Sequence, residues 1–131
     1  MPGIRTMVVG ALLAVATLAC RSSRTYQESS GGDVAIARDV TVEVKNDNFA
    51  DVNIYAILEG GVARRLGTVT GNTAGKFSLR ASEIPTGTVR LLADAIGGAG
   101  RASSGQLLVN GGATIVFTIA PVLAQSSATV R

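Results

Sequence analysis

The hydrophobic residues of this chain follow two different patterns, and the change between them divides the sequence. Met7–Leu18 is an uninterrupted apolar run of 12 residues, preceded by Arg5 and followed by polar residues from Arg21. From Val34 onward, apolar and polar residues alternate with a period of two, which is typical of half-buried β-strands. No segment after residue 20 keeps the 3.6-residue period of an amphipathic helix. The pattern therefore predicts an apolar N-terminal segment followed by an all-β domain.

The alternating region divides into short strands separated by Gly, Asn and Pro turns. Seven strands are predicted: Val40–Lys45, Val52–Leu58, Val62–Thr70, a short strand with Phe77 and Leu79, Val89–Asp94, Gln106–Val109 and Ala113–Ile119. Ser127–Val130 is predicted as a weaker edge strand. Alternation places Arg64, Leu66 and Thr68 on one face of the third strand, and Gly67 is predicted to mark a bulge. This spacing predicts an antiparallel β-sandwich of seven or eight strands, not a β-α-β fold.

The N-terminal segment has the order of a secretory signal: a positive residue, an apolar run and then small residues. Its 12 apolar residues reach only about 18 Å as a helix, whereas the hydrocarbon core is about 30 Å thick. Thr17–Cys20 resembles a bacterial lipobox, which implies lipidation of Cys20, although Leu stands two residues before the cysteine and not three. Cleavage after Ala14–Ala16 and an uncleaved anchor over Ile4–Cys20 remain alternatives.

These boundaries predict three regions. Residues 1–20 are a signal peptide or membrane anchor, residues 21–33 are a polar, Ser- and Gly-rich flexible tether, and residues 34–131 are the β-sandwich domain. The domain is long enough for one small two-layer core. We therefore expect a bacterial membrane-attached protein whose domain lies in the periplasm or on the cell surface, with inner and outer membrane both open.

Composition removes several classes of function. The chain has no His, which excludes Ser-His-Asp and Cys-His catalysis and metal sites built on His. Its 12 basic and 9 acidic residues are interspersed, so no nucleic-acid-binding surface is predicted. The single Cys forms no internal disulfide. With no catalytic constellation and no cofactor motif, we expect a protein that is not an enzyme and holds no cofactor.

The second half of the domain is similar to a known family. The segment Thr70–Leu79, the bend Ile84–Gly87 that leads into Val89–Ala93, and the closing hairpin Leu107–Ile119 resemble carboxypeptidase regulatory-like domains, which are prealbumin-like sandwiches. The likeness covers about residues 70–120, and it departs from the family at Ala74 and at Thr88-Val89. It implies a non-catalytic domain that packs against or binds other proteins.

Three turn-forming segments suggest ligand sites but are better explained as turns. Gly71–Lys76 has the wrong spacing for a phosphate loop, and Gly98–Gly100 lacks the third glycine of a dinucleotide fingerprint. Asp47 and Asp51 lie among three Asn residues and are weak candidate calcium ligands, because the spacing does not match an EF-hand loop. Apart from these weak candidates, no metal site is predicted from the sequence.

The remaining candidate is an interaction surface on the outward face of the strands. Tyr55, Ile57 and Leu92 are predicted there, together with Leu108 and Val116, and an outward apolar patch favours a partner. Arg64, Arg65 and Arg90, with Arg101, are the cations that this surface can gather. The alternative is that a loop or the tail Pro121–Val130 covers the patch. We therefore expect an accessory subunit that docks on a larger envelope or membrane complex, or else a binding lipoprotein that takes a small ligand, ion or glycan through its loops.

Overall fold

A computed structural model describes residues 38–98 and 100–131 of the chain. In these residues it contains eight β-strands, three short 3₁₀ turns and no α-helix. The strands are β1 (Val40–Asn46), β2 (Val52–Ile57), β3 (Ala63–Val69), β4 (Ala74–Leu79), β5 (Thr88–Ala95), β6 (Arg101–Leu108), β7 (Thr114–Ile119) and β8 (Ser127–Val130). The predicted all-β class is confirmed, and the predicted edge strand is present as β8.

The strands form two four-stranded sheets that enclose one core. The first sheet has the order β4-β1-β7-β8 and the second the order β3-β2-β5-β6. Five of the six strand pairs are antiparallel, but β1 and β7 are parallel, so the prediction of a wholly antiparallel sandwich is wrong in that one pair. The reason is that short connections reverse the chain at each step. Two odd-numbered strands placed side by side must then run in the same direction.

The period-two pattern of the sequence reflects burial directly. Val40, Val42 and Val44 of β1 are buried, as are the alternate residues of β2, β5 and β7. The core from both sheets includes Ile54, Leu91 and Phe117, none of which is exposed. Because successive residues of a strand point to opposite faces, burial of one set fixes the register and sends the other set outward.

Both edge strands of the second sheet carry β-bulges. Ile54 of β2 lies opposite Gly67 of β3, but the next residue, Tyr55, lies opposite Arg65. Leu66 of β3 is therefore the extra, unpaired residue of the bulge. The predicted bulge at Gly67 is therefore confirmed. The expected shared face of Arg64, Leu66 and Thr68 is wrong, because the bulge turns Thr68 to the opposite face. Its hydroxyl there contacts Arg65.

The connections define two ends of the sandwich. We call the end with the β1–β2, β3–β4, β5–β6 and β7–β8 loops the far end, comprising residues 47–51, 70–73, 96–100 and 120–126. The near end carries the β2–β3, β4–β5 and β6–β7 connections, residues 58–62, 80–87 and 109–113, and β1 begins there. Residue 38, at the start of the described chain, therefore belongs to the near end.

Candidate functional site

The outer face of the second sheet, which we call the docking face, brings together most of the predicted interface. Tyr55 on β2 lies directly opposite Leu92 on β5, and Ile57 lies opposite Arg90. These three apolar side chains are only partly buried, although their neighbours along each strand are in the core. Cross-strand neighbours on one face are close enough to pack against each other. The result is a small apolar strip in the centre of an exposed sheet.

Arginines surround this strip. Arg65 of β3 lies opposite Tyr55, and its Nη2 donates to Asn53 Oδ1 and Thr68 Oγ1, both at 2.8 Å. Arg101 at the start of β6 pairs with Asp94 at 3.1 Å. Within the described part of the chain, neither Arg65 nor Arg90 forms an ion pair with a carboxylate. The docking face therefore combines an apolar centre with two cations that no acidic group neutralises.

The outer face of the first sheet has a different character. Glu43 at its centre forms ion pairs with Lys76 and with Arg131, at 3.6 and 3.0 Å. Val116, beside Glu43, is partly buried among threonines and lysines. The charged side chains at the centre of this face form ion pairs with each other, as is common on a solvent-exposed surface. Val116 was predicted to face outward like Tyr55, and it does so, but on the opposite side of the molecule.

Arg64 does not belong to the docking face. It lies opposite the buried Ala56, so it points to the inner side at the edge of β3, where it forms an ion pair with Glu83. Glu83 also accepts a hydrogen bond from the Arg80 backbone N–H at 3.0 Å. The pair closes the edge between β3 and the β4–β5 connection. Glu43, Glu83 and Asp94 lie on different elements and each pairs with a different cation, so they do not form a pair of carboxylates for acid–base work.

A groove at the near end continues the docking face. It has a volume of about 500 Å³ and lies between the β2–β3 hairpin and the start of β5. Its lining includes apolar Ile57, Leu58 and Val89, with Arg90 and Glu59 as the charged groups. A volume in this range is typical of sites that take small molecules. The sequence did not indicate this groove, because the β2–β3 hairpin and the start of β5 are distant in sequence and only the fold brings them together.

The candidate calcium ligands do not converge. Asp47 pairs with Lys45 at 3.1 Å, whereas Asp51 Oδ1 accepts a hydrogen bond from the Gly71 N–H at 2.9 Å. The buried Asn46 binds backbone groups, and Asn53 is on the docking face. Across residues 38–98 and 100–131 there is no group of three or more acidic, His or Cys side chains that could hold a metal. The polar side chains of this segment therefore form ion pairs and hydrogen bonds within the protein and do not face a common point.

Apolar residues at the far end were not predicted as functional. Phe49, Ile96 and Val122 lie in three different loops and are 85%, 49% and 56% exposed. The sequence held a signal for Phe49, since an aromatic residue inside the turn Asn46–Asp51 has no strand face to occupy. Leu108 of β6 is also exposed, on the outer side where it was predicted.

The predictions for the N-terminus lie outside the described residues. These are the lipidation residue Cys20, the signal or anchor over residues 1–20 and the tether over residues 21–33. Where the structure describes the chain, no helix is long and apolar enough to cross a bilayer.

Comparison with known proteins does not place the chain in a family. No protein-family model matches the chain, and no curated protein matches it in sequence. Among solved structures, the chain is similar to the NMR structure of a protein from Eubacterium rectale at 13% identity and a TM-score of 0.47. That match covers 72% of this chain and 89% of that chain.

Proposed function

We propose that this chain is a non-enzymatic, membrane-anchored and periplasm-facing β-sandwich that acts as an accessory subunit. In this proposal the lipobox-like segment leads to lipidation of Cys20, and the domain docks on a larger envelope or membrane protein complex and stabilises it. The sandwich is of the prealbumin-like kind that the Thr70–Ile119 resemblance implies. The arrangement of the eight strands in two four-stranded sheets, β4-β1-β7-β8 and β3-β2-β5-β6, supports this fold assignment.

The observation that carries the proposal is the docking face. Tyr55, Ile57 and Leu92 form its apolar centre. Arg65 and Arg90 flank them, and among residues 38–98 and 100–131 neither has a carboxylate partner. Tyr and Arg are enriched at the centres of protein interfaces, where a desolvated anchor is surrounded by a polar rim. The polar outer face of the first sheet shows that this composition is not a general property of the surface.

The proposed partner surface is acidic or rich in backbone carbonyls. Each guanidinium presents several N–H donors in a fixed plane, which matches carboxylates well. The apolar strip would be covered by the partner at the same time. Charge complementarity of this kind mainly sets the association rate and the orientation of docking, whereas burial of the apolar centre slows dissociation.

The test is native separation of source membranes in mild detergent, with the protein located by mass spectrometry. We expect the wild-type chain to migrate with a large assembly and the variant with Tyr55→Ala and Leu92→Ala to migrate alone. Loss of a central interface anchor typically costs about 2 kcal/mol or more of binding. Val116→Ala on the opposite sheet is the matched control and should stay in the assembly.

Two results would contradict the proposal. If the wild-type chain migrates near its own mass plus detergent, there is no stable assembly to dock on. If the Tyr55→Ala and Leu92→Ala variant stays in the assembly, docking uses another surface. The thermal midpoint of the purified variant should remain close to that of the wild type, because both side chains lie outside the core.

The groove favours a second candidate function, a binding lipoprotein for a small ligand. Its apolar residues Ile57, Leu58 and Val89 and its two opposite charges fit a small zwitterion, whose carboxylate would meet Arg90 and whose ammonium group would meet Glu59. A screen of small zwitterions against the purified protein should then raise its melting temperature, since a ligand that binds only the folded state stabilises it. Arg90→Ala should abolish that rise. A screen without any shift would remove this candidate.

A further inference from the structure

The far end of the sandwich carries three apolar loop tips that neither the core nor the docking face uses. Phe49 is in the β1–β2 loop, Ile96 in the β5–β6 loop and Val122 in the β7–β8 loop. Each projects from a separate loop, yet all three belong to the same end of the molecule. The described residues have three other exposed large apolar side chains, and those lie on strands or connections towards the near end.

Hydrogen bonds hold the three loops together beside these tips. Asn48 Nδ2, next to Phe49, donates to Pro121 O at 2.9 Å and to Ala120 O at 3.3 Å, which fixes the segment before Val122. The Ile96 N–H donates to Asp51 O at 2.8 Å. The tips therefore lie at one end on loops that bind each other, so ordering them costs little further conformational entropy on binding.

The charges at the far end determine which surface such tips can enter. Two basic side chains on the strands beside these loops, Lys45 of β1 and Arg101 of β6, are already paired with Asp47 and Asp94 at 3.1 Å. Asp51 is exposed and faces no cation among the described residues. This end is therefore poorly suited to phosphates, nucleic acids or an acidic protein, and its carboxylates suit ammonium groups.

We propose that the far end is a membrane-contact surface whose loop tips Phe49, Ile96 and Val122 insert into a zwitterionic lipid bilayer. The apolar tips would enter the boundary between headgroups and acyl chains. The exposed Asp51 carboxylate, which faces no cation among the described residues, would face the ammonium groups of phosphatidylethanolamine or phosphatidylcholine. This surface is distinct from the docking face and does not depend on the proposed function.

A lipid surface fits these tips better than a protein pocket does. Protein interfaces need a continuous complementary patch, usually with Tyr, Trp or Arg at its centre. The far end instead offers three separate aliphatic or aromatic projections with small residues such as Gly97 and Gly98 between them. A fluid acyl phase receives projections of this kind without shape complementarity, and burial of apolar surface supplies the driving force.

The chain has no Trp, so a single introduced Trp reports on its own position. The full-length variant Phe49→Trp would be reconstituted in phosphatidylcholine–phosphatidylethanolamine vesicles with and without bromine atoms on the acyl chains. Bromine quenches only a Trp that reaches the acyl region. The full-length variant Val62→Trp is the matched control, because Val62 is 62% exposed but lies at the near end.

We expect a blue shift and loss of emission for Phe49→Trp in brominated vesicles, and neither for Val62→Trp. Adding Ile96→Ser and Val122→Ser to Phe49→Trp should remove the quenching, whereas adding Leu108→Ser should not. Replacing part of the lipid with anionic phosphatidylglycerol should weaken the quenching. A thermal melt of each variant confirms that it is folded.

Three outcomes would overturn the proposal. Equal quenching at positions 49 and 62 would mean that the domain merely lies near vesicles through another part of the chain. Absence of quenching at position 49 would mean that the tips meet a protein or remain in water. Stronger quenching with anionic lipid would show that charge attraction, not apolar insertion beside carboxylates, drives the contact.

Discussion

At the scale of single residues, Asn46 is the most constrained side chain. It is the polar residue that is fully buried within the described part of the chain. Its Nδ2 faces the carbonyl oxygens of Ala50, Val69 and Thr70 at 2.9 to 3.2 Å, and its Oδ1 accepts from the Asn48 N–H at 3.0 Å. One amide thus joins the end of β1 to the β1–β2 and β3–β4 loops. A residue that the sequence marked as a turn former is therefore also a buried connector.

We predict that Asn46→Ala lowers the free energy of unfolding by about 1–3 kcal/mol, because the backbone groups it binds would be left buried without partners. Asn46→Asp should cost more at pH 7, since a carboxylate would face three carbonyl oxygens. The new carboxyl would have a pKa in the folded state above its unfolded value of about 3.9. The folded state then binds more protons, so the stability of this variant should fall as pH rises through and above that value.

Urea denaturation at pH 4 and pH 7 checks this prediction. The matched control is Asn53→Asp, which places the same new charge on the docking face beside Arg65. That control should leave stability almost unchanged, since exposed ion pairs contribute at most about 1 kcal/mol. An Asn46→Asp variant as stable as wild type at pH 7 would show that the amide donor is not needed.

At the scale of strands, the contacts of Phe77 explain why Gly67 on β3 and Gly75 on β4 are glycines. Phe77 on β4 lies at the edge of the first sheet and packs against the core. A Cβ at Gly67 on β3 would come within 2.6 Å of its ring, and a Cβ at Gly75 within 3.4 Å. The ring therefore closes the gap between the edges of the two sheets, and the glycines make room for it.

We predict that Gly67→Ala destabilises the fold by about 1–3 kcal/mol through overpacking against this ring. Gly67 does not have a positive φ, so steric crowding and not backbone strain is tested. Combining Gly67→Ala with Phe77→Leu should cost less than the sum of the two single changes. Gly98→Ala is the control, because its Cβ would meet Ala95 at an ordinary 3.5 Å. Strictly additive costs in urea denaturation would contradict the contact.

Most strands were predictable from sequence because their two faces differ in polarity. The exception is β6, which was predicted at Gln106–Val109 but covers Arg101–Leu108, where burial does not alternate regularly. The alternation at Val40–Val44 and at Ile115–Ile119 fixed both position and inward face. Features that depend on pairing were not predictable. The bulge moved Thr68 to the face of Arg65, and only the register shows that Arg64 points away from Tyr55. The groove and the grouping of the far-end tips arise from segments that are distant in sequence, so a local pattern can single out Phe49 but not the surface that it shares with Ile96 and Val122.

At the scale of the whole molecule, closure of the sandwich depends on a very short strand. β8 has four residues and covers the edge of β7. The backbones of Thr114 and Arg131 exchange hydrogen bonds at 2.7 and 2.9 Å, and Ala128 packs against the core. The sequence marked this segment as a weak edge strand, because its alternation is short. Its importance comes from what it covers, since β7 supplies buried Ile115, Phe117 and Ile119.

We predict that deleting Ser127–Arg131 exposes β7 as a new edge and makes the protein both less stable and prone to self-association. An uncovered, regular and apolar-backed strand presents unpaired backbone groups to other chains. The variant Arg131→Ala is the control, because it removes only the exposed ion pair with Glu43, whose contribution is at most about 1 kcal/mol. Thermal melting together with sedimentation velocity measures both effects. A truncated chain that stays monomeric with an unchanged midpoint would mean that β7 tolerates an open edge, and that the sandwich is complete with seven strands.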